Sequence, residues 1–456
     1  MNDLTVGSIR KHIIQFAIPV LVTNMIQLVY ILINRIWAGK ILGNDAIAVV
    51  TIASVIIYAM FSFSIGLSIG VSTITGQYFG AKKMARVKRT VGTAFLLTTI
   101  LAIIMTVVIQ ILNKPILELL QTPQSIMATT QSYMNWISYG FIFLFLQLLI
   151  TFLFRSIGNT KYPLIASTIS MVVNAALDPF LMLGIGPFPK MGVDGAALGF
   201  VTANFVAFAI GLYLLKKHGK VLDISWKRFF KIDPPMIKAI LKIGAPTGFQ
   251  NVIISLGLTI GQFFIDKSGT DAVAAYGAVS MVANIVLYYS WSISAAISAI
   301  TAQNIGAEKI KRAVKALRQG YALMFYFTLI VVLISMIKPE WLLVLFLKEN
   351  GNQAFEIGKI GLRSVSVSYL FMIMLISYDS FYNGAGDTMA AMMITMITLF
   401  GTWVIRIPMM WYLDKFYGVE GIWLALGLSN IVSGVVSFFY FRSGRWKNKS
   451  VMRQKN

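Results

Sequence analysis

An amide and a carboxylate lie four residues apart within a long apolar run of this chain, at Asn174 and Asp178. A carboxylate inside such a run costs about 2.5–3.5 kcal/mol on insertion scales, and it is rarely present without a function. The spacing places both side chains on one face of a helix. Pro179 has no backbone N–H, so the carbonyl of Ala175 loses its helical partner. An amide, a carboxylate and a freed carbonyl would then converge, which predicts a proton or cation site.

The composition of the chain determines what kind of protein surrounds this motif. Of its 456 residues, 57% are hydrophobic and 12% charged, and the mean hydropathy is +0.76. Such a chain is too apolar for a soluble globular protein, so we expect a polytopic membrane protein. The absence of cysteine excludes thiol catalysis and cysteine-based metal sites. Only His12 and His218 are histidines, and each lies beside a lysine near the end of a segment, which leaves no histidine cluster for a metal.

Twelve apolar runs are long enough to cross a bilayer, which takes about 20 residues. They predict an all-α polytopic membrane protein with twelve transmembrane helices. We expect the first run to be a retained span and not a cleaved signal. The predicted spans are 13–39, 46–72, 90–112, 132–154, 162–186, 194–215, 239–265, 272–300, 317–337, 364–384, 389–412 and 418–441.

The basic residues lie mainly in alternate loops and at both ends of the chain. This distribution follows the positive-inside rule, so both termini are expected on the cytoplasmic side of the membrane. The net charge of +22 is therefore attributed to membrane orientation and lipid contact, and no nucleic-acid partner is expected.

The sequence also repeats itself at an offset of 226 residues. DAIAVVTIAS at Asp45 recurs as DAVAAYGAVS at Asp271 (271 − 45 = 226), and GVDGAAL at Gly192 recurs as GVEGIWL at Gly418 (418 − 192 = 226). Each half holds six spans, an even number, so the repeat predicts two six-helix lobes related by a pseudo-twofold axis along the membrane normal. The predicted divisions are an N-terminal lobe (1–217), a basic linker (218–237), a C-terminal lobe (238–442) and a basic tail (443–456).

Only two of the seventeen acidic residues fall well inside a predicted span, Asp178 in the first half and Asp379 in the second. Arg406 occupies the repeat-equivalent place of Asp178 (406 − 178 = 228), so the two halves differ in chemistry and the ion site is expected in the first. Asp379 is a candidate for the substrate cavity, or it is a structural residue bonded across helices or paired with Arg406. Arg406 is itself either a cavity residue or a structural counter-ion, whereas Arg35 is expected to reach the headgroups.

Several blocks together resemble the multidrug and toxic compound extrusion (MATE) family. They are GLSIGVSTITGQYFGA at Gly66, TAQNIGA at Thr301, FRSIGNT at Phe154, NGAGDT at Asn383, NAALDPFLM at Asn174 and GIGPFPKMGVDGAA at Gly184. The resemblance implies cation-coupled antiport, driven by protons or sodium, that expels amphipathic and often cationic compounds by alternating access. It assigns cation coupling to Asp178, with Asn174 as its neighbour.

The chain departs from the family pattern at two positions. The family usually carries an aspartate in span one in a Tyr-x-x-x-Asp context, and the matching residues here are Tyr30 and Asn34. Some members have a glutamate in span seven, where this chain has Gln250. We assign Asn34 to the coupling site and place Tyr30 and Gln250 in the substrate cavity. A lone Asp178 with amide neighbours suits one proton or one sodium ion and is a poor site for a divalent metal.

The sequence therefore predicts a transporter that is not an enzyme. It needs no cofactor beyond a coupling H⁺ or Na⁺, it takes small amphipathic drugs as substrates, and it contacts membrane lipids as an expected monomer. Two other functions stay open. A flippase for lipid-linked precursors would share the fold but would have a more basic cavity and often extra spans, whereas an intramembrane enzyme would need a nucleophile with a base or a metal site.

Overall fold

A computed structural model describes residues 3–219, 222, 232–266, 269–348, 353–397, 412 and 419–449. Within some of its helices the side chains of further residues are not described, among them Tyr30, Asn34 and Arg35 in the first helix. Arg406 lies outside the described residues altogether.

The described residues are helical and contain no strand, which confirms the predicted all-α class. The chain order is α1 (Ile9–Trp37, continued by a π-helical turn at Ala38–Leu42), α2 (Asn44–Gly80), α3 (Met84–Leu119), α4 (Gln124–Tyr139), α5 (Phe141–Ser156), α6 (Lys161–Leu183), α7 (Val193–His218), α8 (Pro234–Asp266), α9 (Thr270–Gly306), α10 (Ile310–Ile337), α11 (Glu340–Leu343), α12 (Gln353–Ser366), α13 (Tyr369–Ala385), α14 (Thr388–Ile397) and α15 (Val419–Ser443), with a 3₁₀ turn at Arg445–Asn448.

Within the described part of the chain, eight helices are long and apolar enough to cross a membrane. Two bent pairs raise this number to ten when each pair counts as one span. The pairs are α4 with α5, bent by 48°, and α12 with α13, bent by 49°. The 33-residue α8 covers the predicted seventh span, and α14 covers the start of the eleventh, whose remainder lies outside the described residues.

The chain divides into two compact units, and two helices contribute to both. The first unit holds residues 1–3 and 18–248, and the second holds residues 4–17 and 249–456. The N-terminal ends of α1 and α8 therefore belong to different units from the rest of those helices.

In the first unit, the long helices α2 and α3 pack against α5, and α6 packs along α7. The core beneath them includes Phe141 and Phe145, which are fully buried and stacked at 5.3 Å between ring centroids. The helix α6 ends at Gly184, whose left-handed φ of 73° ends the helical ladder. The pairing of α6 with α7 positions the candidate ion site.

In the second unit, α9 packs against α10, α12 and α13, and α13 packs against α15. Phe381 and Trp446 close one end of this unit with ring centroids 4.7 Å apart and perpendicular planes. The C-terminal half of α13 and the middle of α8 carry the polar residues of the second candidate site.

The predicted boundaries were wrong at two spans. Span ten was placed at 364–384, but its first helix, α12, begins at Gln353. The charged residues Glu356 and Lys359 resemble a loop in the sequence, yet they lie on one face of a helix whose other face buries Phe355. Span four was predicted as one helix, whereas the chain breaks at Gly140 into α4 and α5.

Candidate ion-coupling and substrate sites

Asn174 and Asp178 meet as their spacing predicts. The amide Nδ2 of Asn174 donates a hydrogen bond of 2.9 Å to Oδ1 of Asp178 across one turn of α6. Each residue is only 1% exposed. The amide oxygen Oδ1 of Asn174 is buried and has no hydrogen-bonding partner among the described residues. The motif thus presents a buried carboxylate together with an oxygen donor that the protein leaves unused.

The facing helix α7 leaves space for this carboxylate because it carries a glycine there. A Cβ added at Gly199 would overlap Oδ1 of Asp178 and would come within 3.4 Å of Nδ2 of Asn174. Tyr133, on α4, is 8% exposed and lies within electrostatic range of Asp178. The site is therefore bounded by α4, α6 and α7. Gly199 and Tyr133 were missed in the sequence, where a glycine or tyrosine in an apolar helix carries no distinguishing signal.

No cation among the described residues balances the charge of Asp178. Among the described residues, no lysine or arginine forms an ion pair with it, and no three His, Asp or Glu side chains cluster as a metal site would require. A buried unpaired carboxylate is costly, so a proton or a monovalent cation bound there would stabilise it.

The second unit holds another polar cluster, around Asp379. Gln250 of α8 donates from one Nε2 to Oδ1 of Asp379, at 2.9 Å, and to Oγ1 of Thr395, at 2.7 Å. Asn383, one turn beyond Asp379 on α13, donates from Nδ2 to the other carboxylate oxygen at 3.1 Å. The structure thus brings the predicted cavity residues Gln250 and Asp379 together.

The Asp379 cluster differs from the Asp178 site in exposure. Asp379 is partly exposed, whereas Gln250, Asn383 and Thr395 are 5%, 7% and 5% exposed. The amide oxygen of Gln250 is buried and has no partner among the described residues. The sequence could have indicated Asn383, because the Asp379–Asn383 spacing is that of Asn174–Asp178 in reverse order. Thr395 is distant in the chain and gave no signal.

Three other predicted site residues cannot be placed. The backbone of α1 carries Tyr30 and Asn34, but their side chains are outside the described part of the structure. Arg406 is likewise outside it. Whether Asn34 approaches Asp178, or Arg406 approaches Asp379, therefore stays a prediction.

Comparison with known proteins identifies the relatives of this chain. The family model described as MatE matches residues 19–180 and 246–411, one match in each half. The chain is 30% identical to the probable multidrug resistance protein YoeA of Bacillus subtilis, over 98% of this chain and 96% of that protein. It is 26% identical to a protein named FAD transporter from Shewanella oneidensis, over 96% and 95% of the two chains.

A solved structure has the same fold at low sequence identity. The crystal structure of a MATE in the bent conformation superimposes with a TM-score of 0.87 at 19% identity, covering 97% of this chain and 96% of that one. The fold, the two matches to the family model and the relatives that span nearly the whole chain lead to one conclusion: this membrane protein belongs to the MatE family, as its resemblance to multidrug and toxic compound extrusion proteins predicts.

Proposed function

We propose that this protein is a cation-coupled multidrug efflux antiporter that uses protons or sodium to export amphipathic, often cationic compounds by alternating access. The observation that carries this proposal is Asp178, a carboxylate that is 1% exposed, hydrogen-bonded only to a neutral amide among the described residues and without an ion-pair partner there. The names of relatives such as the probable multidrug resistance protein of Bacillus subtilis support the substrate class.

Coupling follows from the cost of the buried charge. When the site is closed to water, Asp178 is stable only with a proton or a cation; when it opens, water can solvate the carboxylate. The cation therefore has different affinities for the two arrangements, which is the energetic requirement for coupling. One carboxylate and one unused amide oxygen favour a single monovalent ion.

The cluster around Asp379 is proposed to hold the substrate. Asp379 is partly exposed, and amides fix both of its carboxylate oxygens. A negative group held in this way can attract a cationic drug, and the apolar side chains common in this chain can contact the rest of the molecule. The protein is proposed to act as a monomer in the bacterial plasma membrane, in contact with lipids and with both termini in the cytoplasm.

The decisive substitution is Asp178→Asn, tested by ethidium or norfloxacin efflux from a pump-deficient host. The amide cannot bind and release a proton, so we expect most of the efflux to be lost. Asp271→Asn is the matched control, because Asp271 is an exposed residue in the first turn of α9 and its replacement also removes one charge. Full efflux by Asp178→Asn would reject the coupling role. Counterflow in liposomes under separate pH and sodium gradients identifies the ion.

A second candidate substrate class comes from the relative named FAD transporter. The same liposomes can test export of a flavin dinucleotide beside ethidium. Transport of the flavin with no transport of any cationic drug would replace the proposed substrate class. Rescue of a strain defective in lipid-linked precursor translocation would instead favour the flippase.

A further inference from the structure

The chain that precedes α1 is attached to the second unit by a set of hydrogen bonds. Residues 4–7, called the strap below, lie against the turn that joins α9 to α10. The strap begins at Leu4, which is 1% exposed. The backbone N–H of Leu4 donates to Oε1 of Gln303 at 3.0 Å. Asn304 donates from Nδ2 to the carbonyl of Leu4 at 3.1 Å. Both Gln303 and Asn304 are fully buried.

Two basic side chains hold the rest of the strap through its carbonyl groups. Lys309 donates from Nζ to the carbonyl of Thr5 at 2.9 Å. Arg312 donates from one guanidinium nitrogen to the carbonyls of Val6 and Gly7, each at 2.8 Å. Hydrogen bonds from charged donors are about twice as strong as neutral ones. The strap is thus held mainly through its backbone by residues of one turn.

The geometry of the strap depends on Gly7. This residue has a φ of 75°, which side-chain-bearing residues rarely adopt. The turn at Gly7 leads directly into α1, whose residues up to Ala17 belong to the second unit while residues from Ile18 belong to the first. The strap therefore fixes the start of a helix that contributes to both units.

A comparable attachment occurs in the first unit. The chain before α8 is held there by Asp233, which is 7% exposed and forms an ion pair of 2.7 Å with Arg89 of α3. Thr90, the next residue, donates to the sulfur of Met236 at 3.4 Å. The two attachments are thus alike. In the first unit α3, which follows the turn at Gly80-Ala81, contacts the segment that leads into α8; in the second unit α10, which follows the equivalent turn at Gly306-Ala307, contacts the segment that leads into α1. Because the attachment occurs in both units, we infer that the contacts of the strap are a regular part of the fold.

We propose that the strap is a releasable latch, bound to the α9–α10 turn in one state of the transport cycle and detached in the other. Its attachment does not depend on the proposed transport function, whereas its release during turnover rests on that function. Alternating access moves the two units, and a segment attached to one unit but continuous with the other experiences that movement directly.

The chain contains no cysteine, so single cysteines can report on the strap in the full-length protein. Thr5 is 8% exposed and Val6 is 54% exposed. In inverted membrane vesicles, a membrane-impermeant maleimide should label Val6→Cys rapidly and Thr5→Cys slowly. Adding Arg312→Gln should accelerate labelling of Thr5→Cys by at least about tenfold, because losing even one of the charge-assisted hydrogen bonds that Arg312 donates to the strap corresponds to that ratio. Lys311→Gln, which removes an exposed charge one residue away, should have no effect.

Release is tested by labelling Thr5→Cys during turnover, with ethidium and an ion gradient supplied. We expect faster labelling than at rest. Unchanged labelling while ethidium is transported would show a static anchor and overturn the latch. Equal resting rates for the Arg312→Gln and Lys311→Gln backgrounds would overturn the attachment itself. The resting comparison remains valid if no drug is transported, so failure of the latch and failure of the efflux function are distinguishable.

Discussion

At the scale of single residues, the Asp178 site depends on a glycine in the facing helix as much as on the carboxylate. Gly199 provides the space that Oδ1 of Asp178 occupies. Protein interiors are close-packed, so a methyl group placed there must displace either the carboxylate or the backbone of α7. The polar pair was predictable from its spacing because Asn174 and Asp178 lie on the same helix. Gly199 was not, because the contact depends on how α6 packs against α7.

Gly199→Ala is therefore expected to impair efflux and to lower the free energy of unfolding by about 1–3 kcal/mol, the usual cost of overpacking. The displaced Asp178 would lose its hydrogen bond from Asn174. Thermal unfolding of the purified protein and ethidium efflux measure the two effects. Gly277→Ala is the control, since a Cβ at this helical glycine of α9 meets nothing within 4 Å. Equal efflux and equal stability of the two variants would contradict this role of Gly199.

At the scale of elements, the bends within two spans are what the sequence did not reveal. Hydropathy detects a run that can cross a membrane, but it does not detect a change of axis within that run. The 48° break between α4 and α5 occurs at Gly140, where a Cβ would come within 2.5 Å of Cγ2 of Val201. A contact with a residue 61 positions later (201 − 140 = 61) cannot be derived from local pattern. The break therefore lies where α7 packs closely against it.

We expect Gly140→Ala to destabilise the protein by about 1–3 kcal/mol through this overlap. The backbone itself tolerates alanine, because the φ of Gly140 is −82°. Adding Val201→Ala removes the opposing methyl groups, so the double variant should recover most of the lost stability. Melting temperatures of the two single variants and the double variant measure the coupling. Additive losses would show that the two side chains do not compete for the same space.

At the scale of the whole molecule, the internal repeat was the most productive sequence signal, and its elements match closely. The helices α2 and α9 have 37 residues each. Each follows a glycine with positive φ, Gly43 at 83° and Gly269 at 94°. The asymmetry in chemistry was also visible in the sequence, because the position equivalent to Asp178 in the second half is Arg406 and not a second carboxylate. The assignment of residues 4–17 to the second unit was not predictable, because these residues precede every repeated block of the sequence.

The repeat predicts that equivalent positions respond alike to the same substitution. Lys82 and Glu308, 226 residues apart (308 − 82 = 226), both adopt left-handed backbone, with φ of 57° and 60°. Their N–H groups donate to the carbonyls of Phe79 and Ile305, each at 3.0 Å. A left-handed conformation costs a residue with a side chain about 1–2 kcal/mol, and glycine avoids this cost while losing more entropy on folding. The net gain from glycine should therefore be up to about 1 kcal/mol at each turn.

Lys82→Gly and Glu308→Gly should thus each raise the melting temperature of the purified protein. The first substitution removes a positive charge and the second a negative one, so a gain shared by both cannot be electrostatic. Lys83→Gly is the control: Lys83 has a φ of −87°, so glycine relieves no left-handed strain there and should not raise the melting temperature. Opposite effects at Lys82 and Glu308 would mean that charge, and not backbone strain, dominates these turns. Equal increases in melting temperature would show that the same left-handed backbone conformation is strained in both halves, where α2 is joined to α3 and α9 to α10.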